Sequence, residues 1–382
     1  MLHFTEQELA DRRARTIDLM QRRGLDGLLM FRQESMFYLT GYDTFGFCFF
    51  QCLYLGADGR LALMTRAPDL RQAQNTSMIQ DIRIWVDRDG ATPASELKAM
   101  LGEFGGTGKT FGIEYEAYGL TARNGMAINA ELDGFCTLID SSELVSELRV
   151  VKSPTELAYV RRAAELADDA LIAGQELTGP GAFEGDILAA MQGAVFKGGG
   201  DYPGNEFIIG SGSDALLCRY FTGRRTLEAE DQLTLEFAGA YRHYHACMMR
   251  TLPIGPAKPG HVDMHSACVE ALEACRAALR PGNIAGSVFD AHASVMDRRG
   301  YSHARMNACG YSLGAVFAPM WMDFPMLYHG NPVEIRPGMV FFAHMILMDS
   351  NKDLAMTLGE TFIVTDDGNE RLSRLPLDLV RK

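Results

Sequence analysis

Positive charge is scarce in this chain. Its 382 residues carry 36 Lys+Arg against 49 Asp+Glu, a formal net charge of −13. That argues against nucleic acid or an anionic membrane as the main partner, since both demand clustered cations. Long apolar runs are missing as well: the most apolar stretch, Phe45 to Phe50, is far too short to span a bilayer. The start, MLHFTEQELADRRAR, has no basic flank followed by an apolar stretch and does not read as a signal peptide. Cys48, Cys52, Cys136, Cys218, Cys247, Cys268, Cys275 and Cys309 are scattered without a CxxC pair, so they read as reduced and mostly buried in a cytoplasmic protein. No low-complexity segment or short-period repeat is visible. What is there is an ordinary balance of 47% apolar and 22% charged residues, chain enough for two domains, and the expectation is a soluble enzyme.

The first part alternates helix and strand signals. Thr5 and Glu8 form a capping box ahead of an apolar stripe at Leu9, Ile17 and Met20, and Gly24 is placed to end that helix. Strands are expected at Leu28 to Phe31, Phe47 to Leu55, Leu61 to Met64 and Ile82 to Val86, with GIEY at 112–115 adding to one mixed sheet. Ser153-Pro154-Thr155-Glu156 then combines an N-cap Ser, a first-position Pro and a third-position Glu ahead of a long amphipathic helix. This sets a boundary near residue 150, giving domains over 1–150 and 151–382. In the second, helices are expected near 184–197, 262–279 and 285–299, and strands at 206–209, 232–239, 241–252, 339–348 and 356–365. That order suggests an α+β domain whose helices cover one face of a curved sheet.

Four segments of the second domain, LTLEFAGAYRHYHACMMRT (233–251), NACGYSLG (307–314), PGMVFFAHMI (337–346) and GETFIVTDDG (359–368), resemble in order and spacing the sheet strands of the pita-bread family. That family includes methionine aminopeptidase, prolidase, Xaa-Pro aminopeptidase, creatinase and ectoine hydrolase. YLTGYDTFGF (38–47) and LRVVKSPTELAYVRRAA (148–164) resemble the smaller first domain and the interdomain entry of its creatinase/prolidase branch. The resemblance implies a C-terminal pita-bread domain preceded by a smaller α/β creatinase-type domain.

The departures from that pattern are informative. The family's metallopeptidases hold two metal ions with two Asp, one His and two Glu. Laid on this sequence without gaps, those positions fall on Glu236, Cys247, Tyr311, His344 and Gly359, with Glu360 one residue further along. A pair of hard ions needs bridging carboxylates, so the resemblance is to the metal-free branch of creatinase and ectoine hydrolase, and no metal or other cofactor is expected.

The strand period places Tyr241, His243, His245, Cys247 and Met249 on one face. The chemistry that fits is hydrolysis of a C–N bond at an amidine or guanidino carbon of a small nitrogenous metabolite. Glu236 is the expected nucleophile or cation anchor, with His245 and His344 as acid/base groups. Arg219 would hold a substrate carboxylate, Tyr311 would donate a hydrogen bond, and His243, Cys247 and Glu360 would complete the substrate contacts. Each has a structural alternative: an Arg-paired carboxylate for Glu236, satisfied sheet histidines, a small buried hydrophobe for Cys247, a surface ion pair for Arg219. His243, His245 and Cys247 also make a conceivable single zinc site. Met320 to Met326 reads as pocket wall or core. In creatinase-like dimers a loop reaches over to the partner's active site; YLTGYDTFGFCFF resembles it, and the resemblance implies that Phe45 is a substrate-site residue and the chain a homodimer, the alternative being an internal buried strand. Competing functions are a metallo-aminopeptidase or dipeptidase with altered ligands, a metal-dependent C–S lyase, and a non-catalytic binding member.

Overall fold

The computed structural model describes residues 2–90, 92–219 and 223–382. The chain divides into two compact units, Met1–Arg149 and Val150–Lys382.

The first unit runs α1 (Glu6–Arg22), β1 (Gly27–Met30), α2 (Gln33–Thr40), β2 (Cys52–Gly56), β3 (Leu61–Thr65), α3 (Ala67–Thr76), β4 (Asp81–Ile84), α4 (Pro93–Glu103), β5 (Thr110–Ile113), α5 (Ala122–Leu132), β6 (Thr137–Asp140) and α6 (Leu144–Arg149). Thr5 caps α1 by accepting the Glu8 N–H. The six strands form one mixed sheet in the order β4-β3-β2-β1-β5-β6. Alternation along β1 sends Leu29 and Phe31 into one apolar cluster and Leu28 and Met30 into another, so both faces of the sheet are covered. Two sequence expectations shift here. YLT (38–40) belongs to α2, ended by Gly41 in the left-handed conformation, and the strand expected from Phe47 begins only at Cys52, after a 3-10 turn at Gly46–Cys48.

The second unit contains α7 (Pro154–Leu177), α8 (Glu184–Lys197), β7 (Ile208–Ser211), β8 (Asp231–Tyr241), β9 (Tyr244–Ile254), α9 (Pro259–Ala278), α10 (Ala285–Arg298), β10 (Ala308–Ser312), β11 (Asp323–Tyr328), β12 (Val340–Asp349), β13 (Leu354–Val364) and β14 (Asn369–Arg371). Ser153 and Glu156 make the reciprocal capping box at the start of α7, and Glu156 also accepts a 2.6 Å bond from the Tyr244 hydroxyl, fixing that helix end to β9. The sheet order is β11-β10-β12-β13-β9-β8-β7, with β14 on β13. Phe341, Ala343, Met345, Leu347, Leu358 and Phe362 face α9 and α10 in one continuous core. Ala246 and Tyr241 face Ala163 and Ala164 of α7.

Helix α7 approaches β8 closely enough to require glycine at 239. A Cβ there would lie 1.9 Å from the Ala163 carbonyl oxygen. Because the atom it would meet belongs to the packed backbone of α7, Gly239→Ala is expected to cost about 3 kcal/mol through overpacking, read as a fall in the denaturant midpoint at unchanged slope.

The sheet is strongly curved. β8 and β10 are four strands apart, about 19 Å in a flat sheet. Nevertheless the Tyr311 hydroxyl on β10 lies 3.3 Å from a carboxylate oxygen of Glu236 on β8. The chain leaving β10 also pairs back onto the start of β9, through a Tyr244–Ala315 bridge and the bond from Val316 N–H to the His243 carbonyl. The face turned away from the helices is therefore concave and brings β10 and β8 together.

Candidate active site

Register decides which side chains share the concave face. Glu236 pairs with Met249, Ala238 with Cys247 and Ala240 with His245. Gly359 pairs with Met249 and with His344, Thr361 with Phe342, and Phe342 with Tyr311. Glu236, His245, Cys247, His344 and Tyr311 thus converge on one surface. Glu236 is the only carboxylate contributed to that surface by the described residues of these strands.

Glu236 is 8% exposed. Burial raises its carboxyl to about 7, opposed by the hydrogen bond from Tyr311 and by the charge of Arg219. Tyr311 OH donates to Glu236 and accepts 2.8 Å from the indole N–H of Trp321, a relay of donors ending on the carboxylate. Arg219 is exposed on the segment after β7. The Cys247 thiol is buried, and burial together with the charge of Glu236 pushes its pKa far up, which makes it a weak nucleophile in this state.

Both histidines of the face are neutral at pH 7. Burial, reinforced by His243, lowers His245 to about 4, and burial, reinforced by His292, lowers His344 to about 3. His245 Nε2 accepts the Gly204 N–H at 2.8 Å. Its proton therefore sits on Nδ1, which has no protein partner. His344 Nδ1 likewise has none, and its ring packs against Tyr311 and Phe342 at centroid distances of 5.6 and 5.5 Å.

Three residue placements expected from the sequence are corrected. His243 does not share the strand face with His245. Arg242 and His243 have φ of 51° and 65° and form the two-residue turn joining β8 to β9, a geometry that demands positive φ at both positions. The His243 ring stacks on Phe317 at 4.2 Å. The turn also moves Tyr241 to the helix face, opposite Tyr244. Glu360 lies on the helix side of β13, fully buried, with its carboxylate paired to the Arg250 guanidinium; it does not reach the site. Phe45 belongs to the first unit and is 78% exposed.

Sequence reasoning placed Trp321 only within the Met320 to Met326 stretch read as pocket wall or core, without its indole bond to Tyr311, and passed over Cys218, whose pKa is raised by burial and by the charge of Glu236. Neither carries a sequence signal, because each reaches the site from a loop.

Residues 158–366 match the description of metallopeptidase family M24, and residues 12–151 that of the creatinase/prolidase N-terminal domain. The chain belongs to family M24. Among relatives of this M24 chain, an uncharacterized hydrolase/peptidase of Sinorhizobium fredii is 29% identical over 395 residues, covering 100% of this chain and 99% of that protein. The ectoine hydrolase of Halomonas elongata is 27% identical over 407 residues, again covering 100% and 99%. The prolidase of Thermococcus sibiricus has the same fold, with a TM-score of 0.88 at 19% identity over 98% of this chain and 99% of that one.

The family description is of metallopeptidases, and the residues at this chain's five corresponding positions do not fit a pair of metal ions. The five positions offer one carboxylate, a buried thiol, a phenol, an imidazole and a glycine. The space a side chain at 359 would need is filled: an added Cβ would meet the Phe342 ring at 2.5 Å. Among the described residues no group of three or more His, Cys, Asp or Glu could hold a metal ion.

The raised Glu236 has a consequence for stability. A carboxyl at about 7 in the fold and in the ordinary range when unfolded favours folding in its neutral form. Its contribution is full below about pH 4.5 and lost as pH rises through about 7. Over that window Glu236→Gln, permanently neutral, should gain on the wild type by on the order of 3 kcal/mol. The neutral histidines impose the opposite slope on both proteins, so the quantity to measure is the difference between the two denaturation midpoints at about pH 5 and pH 8.

Proposed function

We propose that this chain is a metal-independent hydrolase of a C–N bond at the amidine or guanidino carbon of a small nitrogenous metabolite, with Glu236 at its centre. The observation that carries this reading is a buried carboxylate, the only one that the described residues of β8, β9, β10, β12 and β13 give to the concave face, hydrogen-bonded to Tyr311 and with its pKa raised by burial, where M24 metallopeptidases would need several carboxylates. The whole-length similarity to a protein named ectoine hydrolase supports it.

Glu236 suits either of two roles. As an anion it attracts an amidinium and is itself drawn below 7 by that charge; it then attacks the amidine carbon or activates the water that does. Water adds across the C=N bond, the tetrahedral carbon expels the protonated nitrogen as an amine, and a C=O remains. Tyr311 donates to the Glu236 carboxylate or to the developing charge. His245, with its proton fixed on Nδ1, is a hydrogen-bond donor to an acceptor of the substrate; His344, neutral, takes and returns a proton. Arg219 would hold a substrate carboxylate and Cys247 would wall the site. Among the described residues no helix is long and apolar enough to cross a membrane, and we read the chain as a cytoplasmic homodimer in which Phe45 meets the partner.

The test is turnover of ectoine, creatine and related amidines by the purified protein, with products identified by NMR. Hydrolysis of one of them that survives chelation is expected. Chelator-sensitive cleavage of Xaa-Pro dipeptides would replace this reading with a peptidase.

A further inference from the structure

The concave sheet is two long ladders joined by a short seam. β8 and β9 pair over eleven residues each, and β12 and β13 over ten pairs. β9 and β13, which join these ladders, pair only at Leu358–Arg250 and Gly359–Met249. Glu236 and Cys247 stand on one side of that seam, Tyr311 and His344 on the other.

Where the ladder stops, side chains take over its hydrogen bonds. Thr361 Oγ1 accepts the Cys247 N–H at 2.9 Å and donates to the Cys247 carbonyl at 2.9 Å, so one hydroxyl satisfies both main-chain groups of that residue. Four residues away along each strand, Thr251 Oγ1 accepts the Thr357 N–H at 2.9 Å and lies 3.1 Å from the Thr234 and Thr357 hydroxyls. Arg250 reaches across on the helix side to the Gly359 carbonyl at 3.0 Å. Of these, Thr361 is the one beside the site. It is 3% exposed, on the concave face opposite Phe342, and tied to Cys247.

We propose that Thr361 is a positioning residue, which sets the separation of Glu236 from Tyr311 by stapling Cys247 across the β9–β13 seam. The Glu236–Tyr311 bond lies across the concavity from that seam, so any opening at the seam is amplified at the bond. The hydroxyl does what a backbone ladder would do, but at one point, and a side chain that cannot both donate and accept there leaves two buried main-chain groups unmatched.

The staple can be tested without substrate, so that its failure is separate from failure of the hydrolase reading. With Trp85 replaced (W85F), Trp321 emission reports the ionisation of Glu236 through the Tyr311 hydroxyl. In that background Thr361→Val, isosteric but without the hydroxyl, is expected to move the midpoint of the pH titration by at least about half a unit and to speed exchange of the Cys247 amide at least about tenfold. Thr361→Ser should restore both. A folded T361V protein with a deprotected Cys247 amide and an unmoved midpoint would overturn the assignment. Should T361V not fold, the unsubstituted chain decides: the Cys247 amide is expected to be as protected as those of the β8–β9 ladder, and exchange at the rate of an open amide would refute the staple.

Discussion

Replacing Glu236 with Gln is expected to lower kcat/KM by a factor of about 10²–10⁴ while leaving the protein folded. The amide keeps the size of the side chain and can still accept from Tyr311, but it can neither carry negative charge to an amidinium nor attack carbon. The loss should fall mainly on kcat if Glu236 is the nucleophile or base, and on KM if it only anchors the cation. The wild-type rate should also fall on the acid side as Glu236 protonates. Its free-enzyme midpoint, read from kcat/KM, is expected near the value of about 7 that burial gives the group. Turnover by E236Q at the wild-type rate would remove the carboxylate from the chemistry.

Breaking the buried pair beneath the site should have the largest effect on stability. Arg250 and Glu360 are 6% and 0% exposed in their side chains, and Arg250 also donates to the Met249 and Gly359 carbonyls. Arg250→Met strands a buried carboxylate and takes a donor from both carbonyls, and is expected to cost about 3–5 kcal/mol, seen as a drop in the urea midpoint. Replacing both members with apolar residues, R250M with E360L, should recover a large part of that loss. A single R250M variant within about 1 kcal/mol of the wild type would mean that the pair is not desolvated as described.

Much of this was legible from the sequence because period and spacing are local. The capping box at Ser153, the alternation along β8 and β12 and the order of four strand segments were sufficient for the two-domain architecture, and the last of these placed Glu236, Cys247, Tyr311 and His344 together. The readings that failed depend on where a strand ends. His243 was assigned to β9 because alternation was extended through Arg242-His243, a pair with no glycine or asparagine to mark a tight turn. Glu360 sits one residue from a site position, and in a strand one residue is the difference between the two faces. Trp321 and Cys218 come from loops whose paths no periodicity encodes. Curvature was equally hidden: no local signal says that a residue on β8 will touch one four strands away.

The most direct test of a Glu236-centred, metal-free site is turnover by chelator-treated protein before and after addition of Mn(II), Co(II) or Zn(II), with bound metal measured alongside by inductively coupled plasma mass spectrometry. Unchanged turnover of an amidine substrate at well under one metal ion per chain is the expected result. Activity lost on chelation and regained with stoichiometric metal would contradict it, and would require ligands that this concave face does not offer.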